Sequence, residues 1–111
     1  MKISDMVRAL DLETPMTSVD GERTVAGGYI SDLLSDVIAH AKKDDVWITL
    51  QVHPNTIAVA TLKELAAIIV IGSKAPSEAA VAKAQDEGIA LFTTPLTAFT
   101  VAGRLYEMGL R

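Results

Sequence analysis

Ala67-Ile68-Ile69-Val70-Ile71 is a run of five apolar residues with no polar alternation. A run of that length, rich in β-branched side chains, marks a strand covered on both faces, which points to a parallel sheet with helices above and below it. Its flanks agree. Upstream, His53-Pro54 breaks the chain, Asn55 can cap, and Ile57 to Leu65 has helical composition with Lys63 and Glu64 near its end. Downstream, Gly72-Ser73-Lys74-Ala75-Pro76 reads as a loop. An Ala-rich helix then runs from Ser77 to Glu87 and stops at Gly88, which suits the left-handed position after a helix.

The same change of period repeats outward in both directions. Val46-Trp47-Ile48-Thr49-Leu50-Gln51-Val52 is β-branched and aromatic and reads as a strand, as does the shorter Ile89-Ala90-Leu91-Phe92. A helix is expected from about Ser31 to Lys43, with Ser31 as its cap. Its apolar stripe is Ile30, Leu33, Leu34, Val37, Ile38 and Ala41, and its polar face carries Asp32, Asp36, His40 and Lys43. The last helix is expected from about Leu96 to Met108, with Ala98, Val101, Leu105 and Met108 on one stripe. Nearer the start, Ile3, Met6, Val7 and Leu10 form a short helical stripe after Ser4. Met16 to Val19 reads as a strand ending at Asp20-Gly21, and Val25 to Tyr29 as a short strand or an elbow whose paired glycines allow positive φ or close backbone approach. Strands alternating with helices through short loops predict right-handed βαβ units, hence an α/β fold with a mainly parallel sheet and helices on both faces.

Composition narrows the function classes. The chain has 111 residues, which fits one domain over 1–111. Half the residues are hydrophobic and 22% are charged, so the chain is not of the disordered class. A net charge of −4 without a basic run argues against a nucleic-acid partner. Leu65 to Ile71, the longest apolar stretch, is far below the roughly 18–20 residues that span a bilayer, and no secretory signal is read at the N-terminus. Absence of cysteine removes disulfide and thiol chemistry. The default expectation is a soluble protein at a cytoplasmic address, with no membrane partner.

Ligands of parallel sheets bind beyond the carboxyl ends of the strands. Here that edge comprises Val52 to Thr56, Gly72 to Ser77 and Thr93 to Thr97, with a contribution from Gly27 to Asp32. Gly72-Ser73-Lys74 invites a phosphate-loop reading but fails it: Ala67 stands where the first Gly belongs, and Ala75 follows the lysine where a Ser or Thr would hold magnesium. What remains is a modest anion cradle from the N–H groups of Ser73, Lys74 and the next helix, weighed against an ordinary loop with a solvated lysine. Asp32, Asp36 and His40 share a helical spacing that suits a metal less well than a polar helix face with an Asp36–His40 ion pair. Asp32 stands apart at the helix start, as a capping residue or a ligand contact. His53 lies near Thr49 and Asn55, without a carboxylate, serine or cysteine at catalytic spacing. Thr93, Thr94 and Thr97 form a hydroxyl cluster, read either as turn and cap chemistry or as contacts to a small polar ligand. Trp47 is read as core or interface.

From Gly28 onward the order of landmarks resembles the DRTGG domain family. The matching runs are Ile30 to Val37, Val46 to Thr49, Asn55 to Ala60, Ile68 to Gly72, the helix to Gly88-Ile89, and Thr93 to Phe99. The resemblance is strongest over residues 28–111. It implies an α/β domain similar to the N-terminal domain of HPr kinase, and a non-catalytic part. In larger family members such a domain sits beside cystathionine-β-synthase-type regulatory domains in pyrophosphatases, where it looks like a regulatory or dimerising module. The combined expectation is a homodimeric regulatory module, not an enzyme, with no catalytic residue, metal or cofactor. A small polar, nucleotide-like ligand would be held by Asp32, Thr49, His53, Asn55, Lys74, Thr93, Thr94 and Thr97. The alternative is a dimerising subunit of a larger enzyme assembly. Apolar residues in excess of one small core are expected at the dimer surface, drawn from Val46 to Val52, Tyr29-Ile30, Phe99, Tyr106 and Met108.

Overall fold

In a computed structural model that describes residues 1–111, the central run becomes β3 (Ala67–Val70), the second interior strand of a four-stranded sheet. The others are β1 (Gly27–Ile30), β2 (Asp45–Thr49) and β4 (Ala90–Thr93), in spatial order β1-β2-β3-β4. All three pairings are parallel, with Trp47 opposite Ile68 and Ile68 opposite Leu91. Five helices complete the fold: α1 (Ile3–Leu10), α2 (Leu34–His40), α3 (Pro54–Lys63), α4 (Glu78–Glu87) and α5 (Ala98–Glu107). None is long and apolar enough to cross a membrane.

Successive strand residues feed opposite cores, which is why β3 tolerates no polar residue. Val46, Ile48, Ala67, Ile69, Ala90 and Phe92 pack beneath α1 and α5, through Ile3, Met6, Leu10, Val101 and Leu105. Trp47, Ile68, Val70 and Leu91 pack beneath α2, α3 and α4, through Val37, Ala41, Ile57, Ala60, Ala80 and Ala84. Fully burying each of the larger aliphatic side chains stabilises the fold by about 1.5–3 kcal/mol. Because the strand order is sequential and parallel, the crossovers through α2, α3 and α4 all return over one face. Only the connection after β4 leaves to the other face, where α5 lies.

Local expectations are met with differences. The helix after Pro76 starts from Ser77, whose hydroxyl accepts the Ala80 N–H at 3.1 Å, and ends at Gly88 with φ of 69°. The helix over 54–63 begins earlier than its composition indicated. Pro54 takes its first position, and its cap is the imidazole of His53 in place of Asn55. The helix expected from Ser31 shrinks to Leu34–His40, starting after Leu33 with no side-chain cap; Ser31 Oγ accepts the Leu33 N–H in a turn ahead of it. Of the expected stripe only Val37 and Ala41 are buried, while Ile30 belongs to β1. Met16 to Val19 forms no strand, because the preceding Glu13 is what pairs with the sheet, in a single antiparallel bridge to Thr93. Gly27 and Gly28 lie within β1 and neither has positive φ. At Gly27 the requirement is close approach: a Cβ there would sit 2.7 Å from Oδ1 of the buried Asp45. The strand expected over Val46 to Val52 ends at Thr49; every residue of β2 is buried, Trp47 included, so that part of the run is interior and not interface surface, while Leu50 beyond it is exposed.

Candidate functional site

At the carboxyl edge, β3 sends its chain over one face towards α4, and β4 sends its chain over the other towards α5. Adjacent strands whose connections diverge leave a crevice between them, the usual ligand position of a parallel sheet. A cleft of about 440 Å³ lies there. Its walls are Ser73 to Pro76 from one loop, Thr93 to Pro95 from the other, and Glu13 to Pro15 from the segment before β1. Three of the chain's four prolines line it, which fixes much of the wall's backbone before any ligand arrives. A larger hollow of about 590 Å³ at the opposite edge offers one carboxylate, Asp5, already engaged by the Lys2 N–H and by Arg8.

The loops are stitched to one another before they can hold anything else. Gly72 and Ser73, both at positive φ, form a tight turn closed by the Lys74 N–H on the Ile71 carbonyl at 3.3 Å. The Gly72 N–H donates to Leu96 and the Ser73 N–H to Thr94, each at 3.0 Å, and the Ser77 N–H reaches Val52. An anion cradle built on the N–H groups of Ser73 and Lys74 is therefore ruled out, since both are spent on carbonyls. What the cleft keeps free is side-chain chemistry: the Lys74 ammonium, the Ser73 and Thr93 hydroxyls and the Glu13 carboxylate make no hydrogen bond within the chain. Thr94 is buried, and its Oγ1 accepts the Leu96 N–H at 3.2 Å, leaving its proton to donate.

The eight residues expected at the site separate into three groups. Lys74, Thr93 and Thr94 line the cleft together. Asp32 and Thr49 meet at the ends of β1 and β2, where Asp32 Oδ1 accepts the Thr49 hydroxyl at 2.8 Å and the Leu50 N–H at 2.7 Å. The Asp32 carbonyl also accepts from Gln51 Nε2 at 2.7 Å. Asp32 thus caps the turn after β2 and not the start of α2. His53, Asn55 and Thr97 sit on the same edge outside the cleft. His53 Nδ1 accepts the Asn55 N–H at 3.1 Å, and Thr97 caps α5 by accepting the Thr100 N–H at 3.3 Å. Glu13 and Thr14 are not singled out by the sequence, and Ser73 is singled out for its N–H and not for its hydroxyl. Thr14 is held by its hydroxyl on the Leu91 carbonyl at 2.6 Å, a contact between residues 77 apart that no local pattern announces.

Asp36 and His40 leave Asp32 and form their own cluster. The Tyr29 hydroxyl lies 2.9 and 3.0 Å from the two Asp36 oxygens, and His40 Nδ1 lies 3.0 Å from Oδ1. Tyr29 and His40 both address the carboxylate, so no imidazole stands between a hydroxyl and an acid as nucleophilic catalysis requires. The Ser31 and Tyr29 hydroxyls, with His40, hold Asp36 below the ordinary value of 3.8. The hydrogen bond to Asp36 raises Tyr29 above 10.0. A carboxylate with a depressed folded pKa stabilises the fold above its unfolded value and loses that contribution as pH falls through the folded one. The melting-temperature gap between the wild type and Asp36→Asn is therefore expected to be open at about pH 5 and to close as the pH falls below about 4. A gap independent of pH in a thermal-denaturation series would contradict the assignment.

No family model matches the sequence, and no curated protein matches it. Among solved structures, similarity is found to the CBS and DRTGG domains of the regulatory region of Clostridium perfringens pyrophosphatase, complexed with its activator diadenosine tetraphosphate. The TM-score is 0.70 at 16% identity, covering 94% of this chain and 45% of that one. The fold is DRTGG-like. The chain spans less than half the length of that regulatory region. At this identity the likeness concerns the DRTGG-like fold, the four parallel strands and their helices.

Proposed function

We propose that this chain is a non-catalytic regulatory module, dimeric, that takes a small polar ligand in the cleft between the carboxyl ends of β3 and β4 and acts on an enzyme partner. The observation that carries the reading is the cleft itself: a crevice at the one divergence of the sheet, with rigid walls and four unengaged polar side chains. Lys74 supplies the positive charge that an anionic group would need, and the Ser73, Thr93 and Thr94 hydroxyls supply donors around it. Glu13 opposite accepts from hydroxyl or amino groups of the same ligand. Phosphorylated sugars and nucleotides have this combination of groups. The likeness to a regulatory region crystallised with a nucleotide activator supports the class.

Calorimetry and thermal shift with mononucleotides, diadenosine tetraphosphate and sugar nucleotides test the reading. Binding is expected for at least one of them. Lys74→Ala is expected to weaken it by roughly tenfold or more, as loss of a charge-assisted contact of ~1.5–3 kcal/mol does. Thr93→Val is expected to weaken it less, and His53→Ala to leave it intact. Failure of every compound, or binding to Lys74→Ala as tight as to the wild type, defeats the proposal.

A further inference from the structure

The two edges of the sheet are finished differently. Along β4, Glu13 exchanges main-chain hydrogen bonds of 2.8 and 3.2 Å with Thr93, the Thr14 hydroxyl donates to the Leu91 carbonyl, and the Leu91 N–H donates to the Met16 sulfur at 3.3 Å. That edge is closed. At the other, β1 pairs with β2 alone; the bridge between Lys2 and Thr24 stops short of the strand, and Arg111 and Leu110, whose atoms would lie 3.4 and 3.8 Å from Cβ atoms on Gly27 and Gly28, make no main-chain hydrogen bond to it. Its sequence, Gly-Gly-Tyr-Ile, has no charge and no proline, and its register with β2 is unbroken by a bulge. Of the devices by which exposed edges are kept from pairing with other strands, charge, proline and bulge are all missing, and only the strand's length of four residues remains.

The surroundings of this edge are apolar as well. Phe99, Ala102 and Tyr106 share a face of α5, with Phe99 88% and Tyr106 61% exposed. Ile30, 50% exposed, meets Ala102, Leu105 and Tyr106 around a hollow of about 130 Å³ whose floor includes Gly28. The Arg111 guanidinium lies 3.9 Å over the Tyr106 ring, which orients the aromatic face.

We propose that a second copy of this chain covers β1, the two β1 strands pairing antiparallel across a twofold axis. Two four-stranded sheets then form one of eight strands, flanked by the two α5 helices. The inference deepens the dimeric part of the reading above and rests on it. One strand antiparallel to its own copy is self-complementary, as a closed twofold interface must be. The strand itself carries no charge, and the one charged group lining the hollow beside it, the Arg111 guanidinium, lies over the Tyr106 ring. Ile30, Phe99 and Tyr106 expose on the order of 400 Å² between them, and the edge backbone and Ala102 extend this towards the roughly 800 Å² per partner of a stable interface.

Light scattering of the full chain tests the proposal. The wild type is expected at twice 11.8 kDa. Ile30→Lys and Tyr106→Lys are each expected to raise the dimer dissociation constant by roughly tenfold or more while circular dichroism stays native. Leu62→Lys, placed on α3 at a residue 67% exposed, is expected to remain dimeric. The chain has no cysteine, so Ile30→Cys gives one reactive site per copy, which a short bis-maleimide is expected to cross-link where Leu62→Cys is not. A dimer unaffected by both lysines, or cross-linked as readily through Leu62→Cys, overturns the β1 seam and leaves dimerisation standing. A monomeric wild type overturns both.

Discussion

Replacing Trp47 by alanine is expected to lower the unfolding free energy by about 3–5 kcal/mol, out of the roughly 5–15 kcal/mol typical of a domain. Trp47 is fully buried at the centre of β2, against Val37, Ile57, Ala60 and Ile68. Deletion of the indole forfeits its transfer free energy and leaves a void that a sheet pinned in register between β1 and β3 cannot collapse into. A second loss is polar. The indole N–H donates to the Ser31 carbonyl at 2.8 Å, holding the turn from β1 to α2 against the sheet. Trp47→Phe keeps most of the apolar contact and loses that bond, so about 1–2 kcal/mol is expected from it. Chemical denaturation followed by circular dichroism measures both. An alanine variant within about 1 kcal/mol of wild type would mean that Trp47 does not organise this core.

Trp47 also illustrates how far the sequence could be read. Its strand and β3 were legible because a short, fully apolar or β-branched run bounded by turn residues suits little except a buried strand, and the division of their residues between two cores follows from the strand period. The length of α2 was not legible. Ile30, Leu33 and Ile38 continue the spacing of Val37 and Ala41, yet Ile30 ends a strand and the other two are exposed, a distinction that tertiary packing makes and periodicity does not. Of the apolar excess, Ile30, Leu50, Phe99, Tyr106 and Met108 are exposed, whereas Val46, Trp47 and Ile48 are buried, because a strand in the middle of a sheet absorbs more apolar surface than its alternation reveals. At the carboxyl edge, Lys74, Thr93 and Thr94 could be placed because they follow strands directly. Glu13 and Thr14 reach the cleft only because the chain before β1 runs along β4, a pairing of one bridge and side-chain contacts with no alternating pattern to betray it.

Asp32 is where the sequence and the structure assign different work to one residue, and the second large effect follows from that difference. Read as a ligand contact, Asp32 would be dispensable for folding. Its Oδ1 instead accepts from the Thr49 hydroxyl and the Leu50 N–H, tying the end of β1 to the turn that leaves β2. Thr49 is buried, so without Asp32 its hydroxyl proton loses the acceptor it has in the fold. Two charge-assisted bonds and one buried donor make Asp32→Ala about 2–3 kcal/mol less stable than wild type. Asp32→Asn retains an acceptor oxygen in the same position and is expected to lose about half as much. Lys74→Ala, on the exposed rim of the cleft, is expected to unfold within about 0.5 kcal/mol of wild type while losing ligand. The two variants therefore separate scaffold from site: one moves the denaturation midpoint, the other moves only the binding isotherm. An Asp32→Ala protein with wild-type stability and no ligand affinity would return Asp32 to the binding site and remove it from the scaffold.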